Sequence, residues 1–320
     1  MKVICVGEML IDFVCTDTNM GLVKGVNYLK KSGGAPANVA ACIGKLGGSA
    51  VLVAAVGNDP FGEFLSNEVK HYHVNTDYVA SLPLSTTFAF VSLADNGERE
   101  FEFNRGADEQ LALKDAEIES LSTDSILHLG SATALLGGKL GGSYLKLAQA
   151  AQQKGNVICF DPNFRIGLWE NREAEFRQAC IPYFKMADIV KVSDEELVLL
   201  SQQEKMETGC HYFHDLGVKI VLVTLGSKGC LISHNGQQSL VPAYEINAVD
   251  TTGAGDSFIG ALLFKMSQNP PDAEFYKNNI QDFVAFAGKV SGLVCSKIGA
   301  MSALPSLSEV EGMSFTVKKT

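Results

Sequence analysis

The 320-residue sequence is short of positive charge: 26 lysines and arginines stand against 36 aspartates and glutamates, a net charge of −10. No basic stripe offers an electrostatic footprint for nucleic acid or an anionic membrane surface. A small ligand fits better, and a phosphate can still be received by backbone amides at a helix start. Long hydrophobic runs are also missing, and none approaches the ~20 residues of a membrane span. The opening MKVICVGEMLID lacks the long apolar stretch of a secretory signal and reads as a first strand. Eight cysteines (5, 15, 42, 159, 180, 210, 230 and 295) form no CxxC and no regular framework, which points to reduced thiols and a cytoplasmic setting. Cys210, His211 and His214 cluster in sequence but have no fourth ligand for a structural zinc ion, and His71 and His73 do not face each other on a helix. Two nucleotide motifs are absent: GxxxxGK[ST], which excludes a P-loop enzyme, and GxGxxG after the first strand, which excludes the dinucleotide fingerprint.

What is present is an alternation of apolar runs and amphipathic stretches, the pattern of a parallel sheet with helices on both faces. Strands are expected at 3–6, 50–56, 126–129, 157–160, 189–192 and 220–224. Helices are expected at 38–46, 61–73, 144–153, 173–186, 195–201, 206–216, 257–266 and 282–294. Each gap holds about one helix, so the connections are βαβ crossovers. Residues 13–31 and 86–105 break this rhythm, with Phe13, Val14, Tyr28, Phe88, Phe90 and Phe101 set among polar residues without a helical period. They read as short antiparallel strands of a separate small sheet. Such a sheet is marginal alone and needs cover, as a lid over a site or at a dimer contact. Residues 306–320 read as a short finishing helix and a loose end. No repeat or linker divides the chain, so one domain over 1–320 is expected.

The strongest motif is Asp250-Thr-Thr-Gly-Ala-Gly-Asp256, running directly into the helix expected from 257. Gly253, Ala254 and Gly255 are small enough for a phosphate to approach amides at a helix N-terminus. Asp256 then stands beside the anion, where a carboxylate can take a proton from an attacking hydroxyl. The plainer alternative is a glycine-rich turn with Asp256 as a helix cap. A second motif, Gly33-Gly34-Ala-Pro-Ala-Asn38-Val-Ala, with Gly47 and Gly57 beyond it, places another glycine pair at a helix start and offers Asn38 to a hydroxyl.

Together GGAPANVA and DTTGAGDSFIGAL, about 210 residues apart and in this order, resemble the two motifs of the ribokinase/PfkB family, and the resemblance spans nearly the whole chain. It implies a ribokinase-like three-layer α/β/α sandwich with a mostly parallel sheet, a small β-sheet lid, and transfer of phosphate from ATP to a sugar hydroxymethyl group. By the same resemblance Asp256 is the catalytic base, and Gly253, Ala254 and Gly255 form the anion hole. Asp12, taken to lie just beyond the first strand, grips sugar hydroxyls together with Gly33, Gly34 and Asn38. Lys191, Ser193, Thr224, Gly226, Gly229 and Gly288 serve ATP, and Glu196 organises magnesium through water. Asp250, Thr252, Lys297 and Gly299 would surround a potassium ion. A homodimer through the lid is expected on separate grounds, as the simple closed way to cover the small apolar sheet.

A narrower set, GEMLIDFV at 7–14, Asp161-Pro-Asn163-Phe-Arg165 and Lys191-Val-Ser193, resembles fructokinases among the family, with Arg105, Asn163 and Arg165 directed at the sugar. Rival readings are a 2-keto-3-deoxygluconate kinase, a ribokinase, a nucleoside kinase and a non-catalytic sugar-binding regulator. The sequence departs from the family pattern in a loop after Arg105 about two residues shorter than usual, in Ser193 where relatives carry asparagine, and in Gly288 and Ala303.

Overall fold

The computed structural model describes residues 1–17, 19–93, 99–234, 236–269 and 273–318. Parts of the expected lid (18 and 94–98) and the last two residues of the expected loose end lie outside the described residues. Thirteen strands are described: β1 Lys2–Val6, β2 Leu10–Cys15, β3 Tyr28–Gly33, β4 Ser49–Gly57, β5 Asn75–Leu82, β6 Phe88–Leu93, β7 Arg99–Asn104, β8 Ser125–Leu129, β9 Val157–Phe160, β10 Ile189–Ser193, β11 Ile220–Thr224, β12 Gly229–His234 and β13 Gln237–Pro242. They make a nine-stranded sheet, in the order β13-β12-β11-β10-β9-β8-β1-β4-β5, and a four-stranded sheet, β3-β2-β6-β7.

Strands β1 and β4 read KVICV and SAVLVAAVG, runs with no polar alternation, because both of their faces are covered. Successive residues point to opposite sides. Val3 and Cys5 join one apolar cluster, with the helices Ala35–Lys45, Ala254–Ser267 and Ala273–Cys295; Ile4 and Val6 join the other, with Gly138–Gln153 and Glu173–Phe184. The six core strands expected from the sequence are all present. Three further strands were not expected. β5 is amphipathic and lies at the sheet edge, and β12 and β13 add antiparallel to β11 after the Gly226–Lys228 turn, so the sheet is mixed at one end.

The lid differs from the expected all-antiparallel sheet, since β2 pairs parallel with β6 while β2–β3 and β6–β7 are antiparallel. Its first strand also begins earlier than expected, at Leu10. Gly7 ends β1 with φ 147°, and a side chain there would collide with Ser131 and Pro36. The chain crosses that point only as glycine and at once resumes as β2. Asp12 therefore sits on the lid and not at the end of a core strand.

Two contacts position the site. The carboxyl ends of β1, β8, β9, β10 and β11 open on one edge of the parallel sheet, where such folds hold ligands. Above that edge the helices Ala35–Lys45 and Ala254–Ser267 pack closely, because a side-chain carbon at Gly260 would lie 2.7 Å from Cβ of Cys42. Among the described residues no helix is long and apolar enough to cross a membrane.

Gly44 tests how tightly the first of these helices is seated. In a helix interior alanine normally stabilises over glycine, but a Cβ at Gly44 would collide with the backbone carbonyl oxygen of Tyr72. The clash is expected to win, so Gly44→Ala should lower stability by about 1–3 kcal/mol in urea unfolding. A gain would show that the helix can shift away from residue 72.

Candidate active site

The helix Ala254–Ser267 starts where the chain turns at Gly253, whose φ of 75° is left-handed. A side chain at Gly253 would come 2.6 Å from Cβ of Ala300, so glycine is required for space as well as for backbone. Of the first-turn amides, that of Ala254 donates to the carbonyl of Thr251 at 3.2 Å. Those of Gly255 and Asp256 belong to the set that a helix start leaves without intrahelical partners. Asp256 stands in this first turn, inside the helix and not at its cap. Its Oδ2 accepts from Nδ2 of Asn38 at 2.7 Å, which joins the two glycine-rich motifs by a side-chain bond. Oδ1 of Asn38 is buried without a protein partner. Burial raises the pKa of Asp256, partly offset by the Arg165 guanidinium and the Asn38 bond. A more basic carboxylate is a better proton acceptor.

Asp256 lines a cleft of about 910 Å³, and from the lid Asp12 lines it too. Burial pushes the Asp12 carboxyl to about 6 against the pull of Arg165 and Lys31. Arg165 lies in the same cleft and acts on both aspartates. Gly34 also lines it, whereas Gly33 serves Asp12, whose carboxylate would collide with any side chain at 33. Asn163, with φ 54°, is buried and donates from Nδ2 to the carbonyl of Gly130 at 2.7 Å, so it fastens the Asp161–Arg165 run to the neighbouring loop while lining the cleft wall. The structure does not bring Arg105 into the lining. Its guanidinium is held 3.0 Å from Oδ2 of Asp108, a buried carboxylate that also accepts from Thr87 at the root of the lid.

Lys191 and Glu196 line the same cleft. Ser193 and Glu196 cap the helix Asp194–Ser201 reciprocally. Glu196 accepts from the Ser193 amide at 2.9 Å and from the Phe164 amide at 2.8 Å. Burial, then the nearby Asp161, raises its pKa against the pull of Lys191. A second cavity of about 710 Å³ holds Gly226, Gly229 and Gly288 and meets the first at Thr224, Thr251, Ala254 and Gly255. A side chain at Gly229 would collide with the carbonyl of Val241, and one at Gly288 would meet the Tyr244 ring at 3.6 Å. Asp250 accepts from the Thr252 amide and hydroxyl at 2.9 and 2.6 Å and from the Gly299 amide at 2.9 Å. Burial pushes its pKa up, but these bonds outweigh it and hold the group below its ordinary value. The Lys297 side chain points elsewhere, 3.7 Å from Glu309.

Sequence reasoning assigned no role to Glu8. It is 1% exposed at the cleft floor and accepts from Ser131 Oγ at 2.5 Å and from the amides of Ala35 and Ala132, both at 3.3 Å. Its signal was an acid directly after Gly7 at the end of β1. Phe101 and Phe103, stacked at 6.0 Å on the lid and lining the cleft, were read only as strand residues.

Asp12 and Asp256 line one cleft from lid and helix start, and a glycine-lined shoulder at that helix start joins it to a second cavity; this is the layout of a phosphotransferase with separate acceptor and nucleotide sites. The chain belongs to the pfkB family of carbohydrate kinases, whose description matches residues 1–307. It is 35% identical over 316 residues to a probable fructokinase-4 of Arabidopsis thaliana, covering 97% of this chain and 96% of that one. It is 36% identical over 312 residues to fructokinase-1 of Oryza sativa subsp. japonica, covering 96% of each. Among solved structures it superposes on a Vibrio cholerae O395 fructokinase in its fructose-, ADP- and calcium-bound form with a TM-score of 0.85 at 29% identity, covering 97% and 98% of the two chains.

The cost of placing Asp12 here is measurable. Its ordinary value is 3.8 and its folded value about 6, so between these the folded state binds more protons than the unfolded one. Stability therefore falls as pH rises from about 4 to about 6 and stays lowered above. Asp12→Asn is expected to stabilise the protein at pH 7.5 by about 1–2 kcal/mol, allowing for solvent screening of a half-buried group, and by nothing at pH 4. Thermal melts at both pH values read this directly, and an equal gain at both would show that the carboxyl is not raised.

Proposed function

We propose that this carbohydrate kinase is a cytoplasmic, ATP-dependent fructokinase that converts D-fructose to fructose 6-phosphate. The observation that carries this reading is the placing of Asp12 and Asp256 in one cleft under the shared influence of Arg165, with Gly255 at the opening toward the second cavity. Whole-length similarity to fructokinases and the Asp161–Arg165 run support fructose as the sugar. Asp12, Asn38, Gly34 and Arg165 bind and orient the sugar, with Asn163 holding the wall. ATP lies over Thr224, Gly226, Gly229 and Gly288, with Ser193 and Lys191 toward its phosphates. Asp256 takes the proton of the attacking hydroxymethyl group, and the amides of Gly253 to Gly255 receive the charge that builds on the phosphoryl group.

The residues present fit a magnesium ion carried mainly by the nucleotide and water. Glu196 reaches the cleft already engaged by two amides, and among the described residues no three His, Cys, Asp or Glu side chains gather as a direct cage. Such an ion, when bound, neutralises phosphate charge; Glu196 would hold its water. The Asp250 turn, with Thr252, Gly299 and the backbone at Lys297, supports a potassium ion beside the anion hole. On the lid, Val23 is 98% exposed, Val26 79% and Leu29 51%. A second copy covering them in a homodimer removes this apolar surface from water.

A coupled assay of ADP release across fructose, ribose, 2-keto-3-deoxygluconate and adenosine tests the reading, with chelator and with sodium replacing potassium as controls. Fructose is expected to give the highest kcat/KM, with activity lost on chelation, restored by magnesium and lowered in sodium. A tenfold preference for another sugar would end the fructokinase reading.

The two aspartates separate by role. Asp256→Asn keeps size and spares the helix start, so kcat should fall by about 10²-fold or more with the ATP KM within about threefold. Asp12→Ala should instead raise the sugar KM more than the ATP KM. Turnover of Asp256→Asn within a few-fold of the parent would move the base to another carboxylate.

A further inference from the structure

The cleft contains a cation whose position is set by the sheet itself. Strands β9 and β10 pair parallel with Ile189 opposite Cys159 and Val190 opposite Phe160. The next residues along, Asp161 and Lys191, therefore emerge side by side at the carboxyl end. Their side chains meet at 2.9 Å, 5% and 10% exposed. Burial alone would lower the pKa of Lys191, but attraction to Asp161 and then Glu196 outweighs it, and the ammonium is held above its ordinary range. Lys191 thus stays charged, which is what a buried group facing an anion must do.

Two details aim this ammonium at the reacting centre. Nζ of Lys191 lies 3.3 Å from the place a Cβ would occupy at Gly255, so it faces the bare backbone of the proposed anion hole. Asp161 holds the ammonium through Oδ2 only, and its Oδ1 is buried with no protein partner. The carboxylate therefore has capacity to spare, and the pair is not a closed structural bridge.

We infer that Lys191 is a catalytic residue whose ammonium stabilises the phosphoryl group in transit, and that Asp161 is a positioning residue that fixes the ammonium at Gly255. The inference rests on the sugar-kinase reading and assigns Lys191 to the transition state and not to the holding of ATP. In the step, the bond from the γ-phosphorus to the ADP oxygen breaks as the bond to the sugar oxygen forms. The hydroxyl proton passes to Asp256, and Lys191 keeps all its protons. Charge shifts toward the bridging oxygen and the transferring group, where a cation fixed by a buried carboxylate acts most strongly.

The test is kinetic, with Lys191→Met, Lys191→Arg, Asp161→Asn and the double variant Asp161→Asn/Lys191→Met, assayed on whichever sugar the parent turns over. Lys191→Met is expected to lower kcat by about 10²-fold, with the sugar and ATP KM values within about threefold. Lys191→Arg should recover about tenfold of that loss, since it keeps the charge but not the shape. Asp161→Asn should cost about tenfold in kcat, and the double variant should be no slower than Lys191→Met, because a residue acting through another loses its effect once that other is gone. Calorimetric binding of the sugar alone, unchanged in Asp161→Asn, shows that the cleft is intact. An ATP KM raised with kcat preserved, or losses that multiply in the double variant, would overturn the inference. A parent silent on every sugar would sink the kinase reading instead, so the two failures are distinct.

Discussion

The approach of two helices at Gly260 and Cys42 is the constraint on which the site depends. It brings residues more than 200 positions apart in sequence, Asn38 and Asp256, to 2.7 Å. One helix begins at Gly34 and the other at Gly253, both with positive φ and both with too little space for a side chain. Each glycine lets its helix start seat closely against the core, Gly34 on the backbone of Glu8 and Gly253 on Ala300, and the hydrogen bond fixes the two starts relative to each other. The chemistry of either motif alone is weak: a glycine pair is a turn, and an acid in a helix's first turn is an ordinary favourable charge. Joined, they place a carboxylate of raised pKa beside a row of amides.

That arrangement is built against electrostatic resistance. Among the described residues lining the larger cleft, six are acidic (Glu8, Asp12, Glu173, Glu195, Glu196 and Asp256) and two are cationic, Arg165 and Lys191. Burial raises the pKa of Glu8, Asp12, Glu196 and Asp256, so the folded chain holds these groups at a cost to its own stability. Such clustering serves function, not folding. It also explains how an acidic protein can handle phosphate. On the proposed reading the anion is met by backbone amides and by one buried ammonium, which needs no net positive charge in a cleft whose lining is itself acidic.

Much of this was legible in the sequence, and the parts that were not share a cause. The six inner strands stood out because burial on both faces makes them continuously apolar, as in β4. β5 alternates in burial at the sheet edge, and β12 and β13 follow a tight turn of two glycines, so neither carries that signal. The helix starts at 34 and 253 were marked by small residues. Arg105 has a sequence position that suggests the cleft, and in the structure Asp108 three residues on holds its guanidinium at the lid root. Asp12 was placed on the wrong element because nothing local shows that Gly7 ends one sheet and Leu10 opens another. Glu8 and Asp161 gained meaning only from tertiary neighbours, Ser131 and Lys191, more than 25 residues distant.

The lid ties these parts into a working order. Asp12 and the stacked Phe101 and Phe103 come from the small sheet, whereas Lys191 lies on β10 of the large one and Asp256 and Glu196 stand in the first turns of the helices Ala254–Ser267 and Asp194–Ser201. The cleft is thus lined from both the lid and the core, while the residues proposed for phosphoryl transfer all lie on the core. The lid meets the core at Gly7 against Ser131 and Pro36, at Asp59 accepting from the amide and hydroxyl of Thr86 at 2.7 Å each, at Asp108 beside Thr87 and Arg105, and where Phe13 sits edge-on to Phe61 at 5.7 Å and Lys30 lies over the Phe64 ring. On the proposed reading, a sugar that bonds Asp12 on one side and Asn38 on the other touches both the lid and the core. The proposed base, amides and ammonium all stand on the core, so their mutual geometry does not depend on where the lid lies.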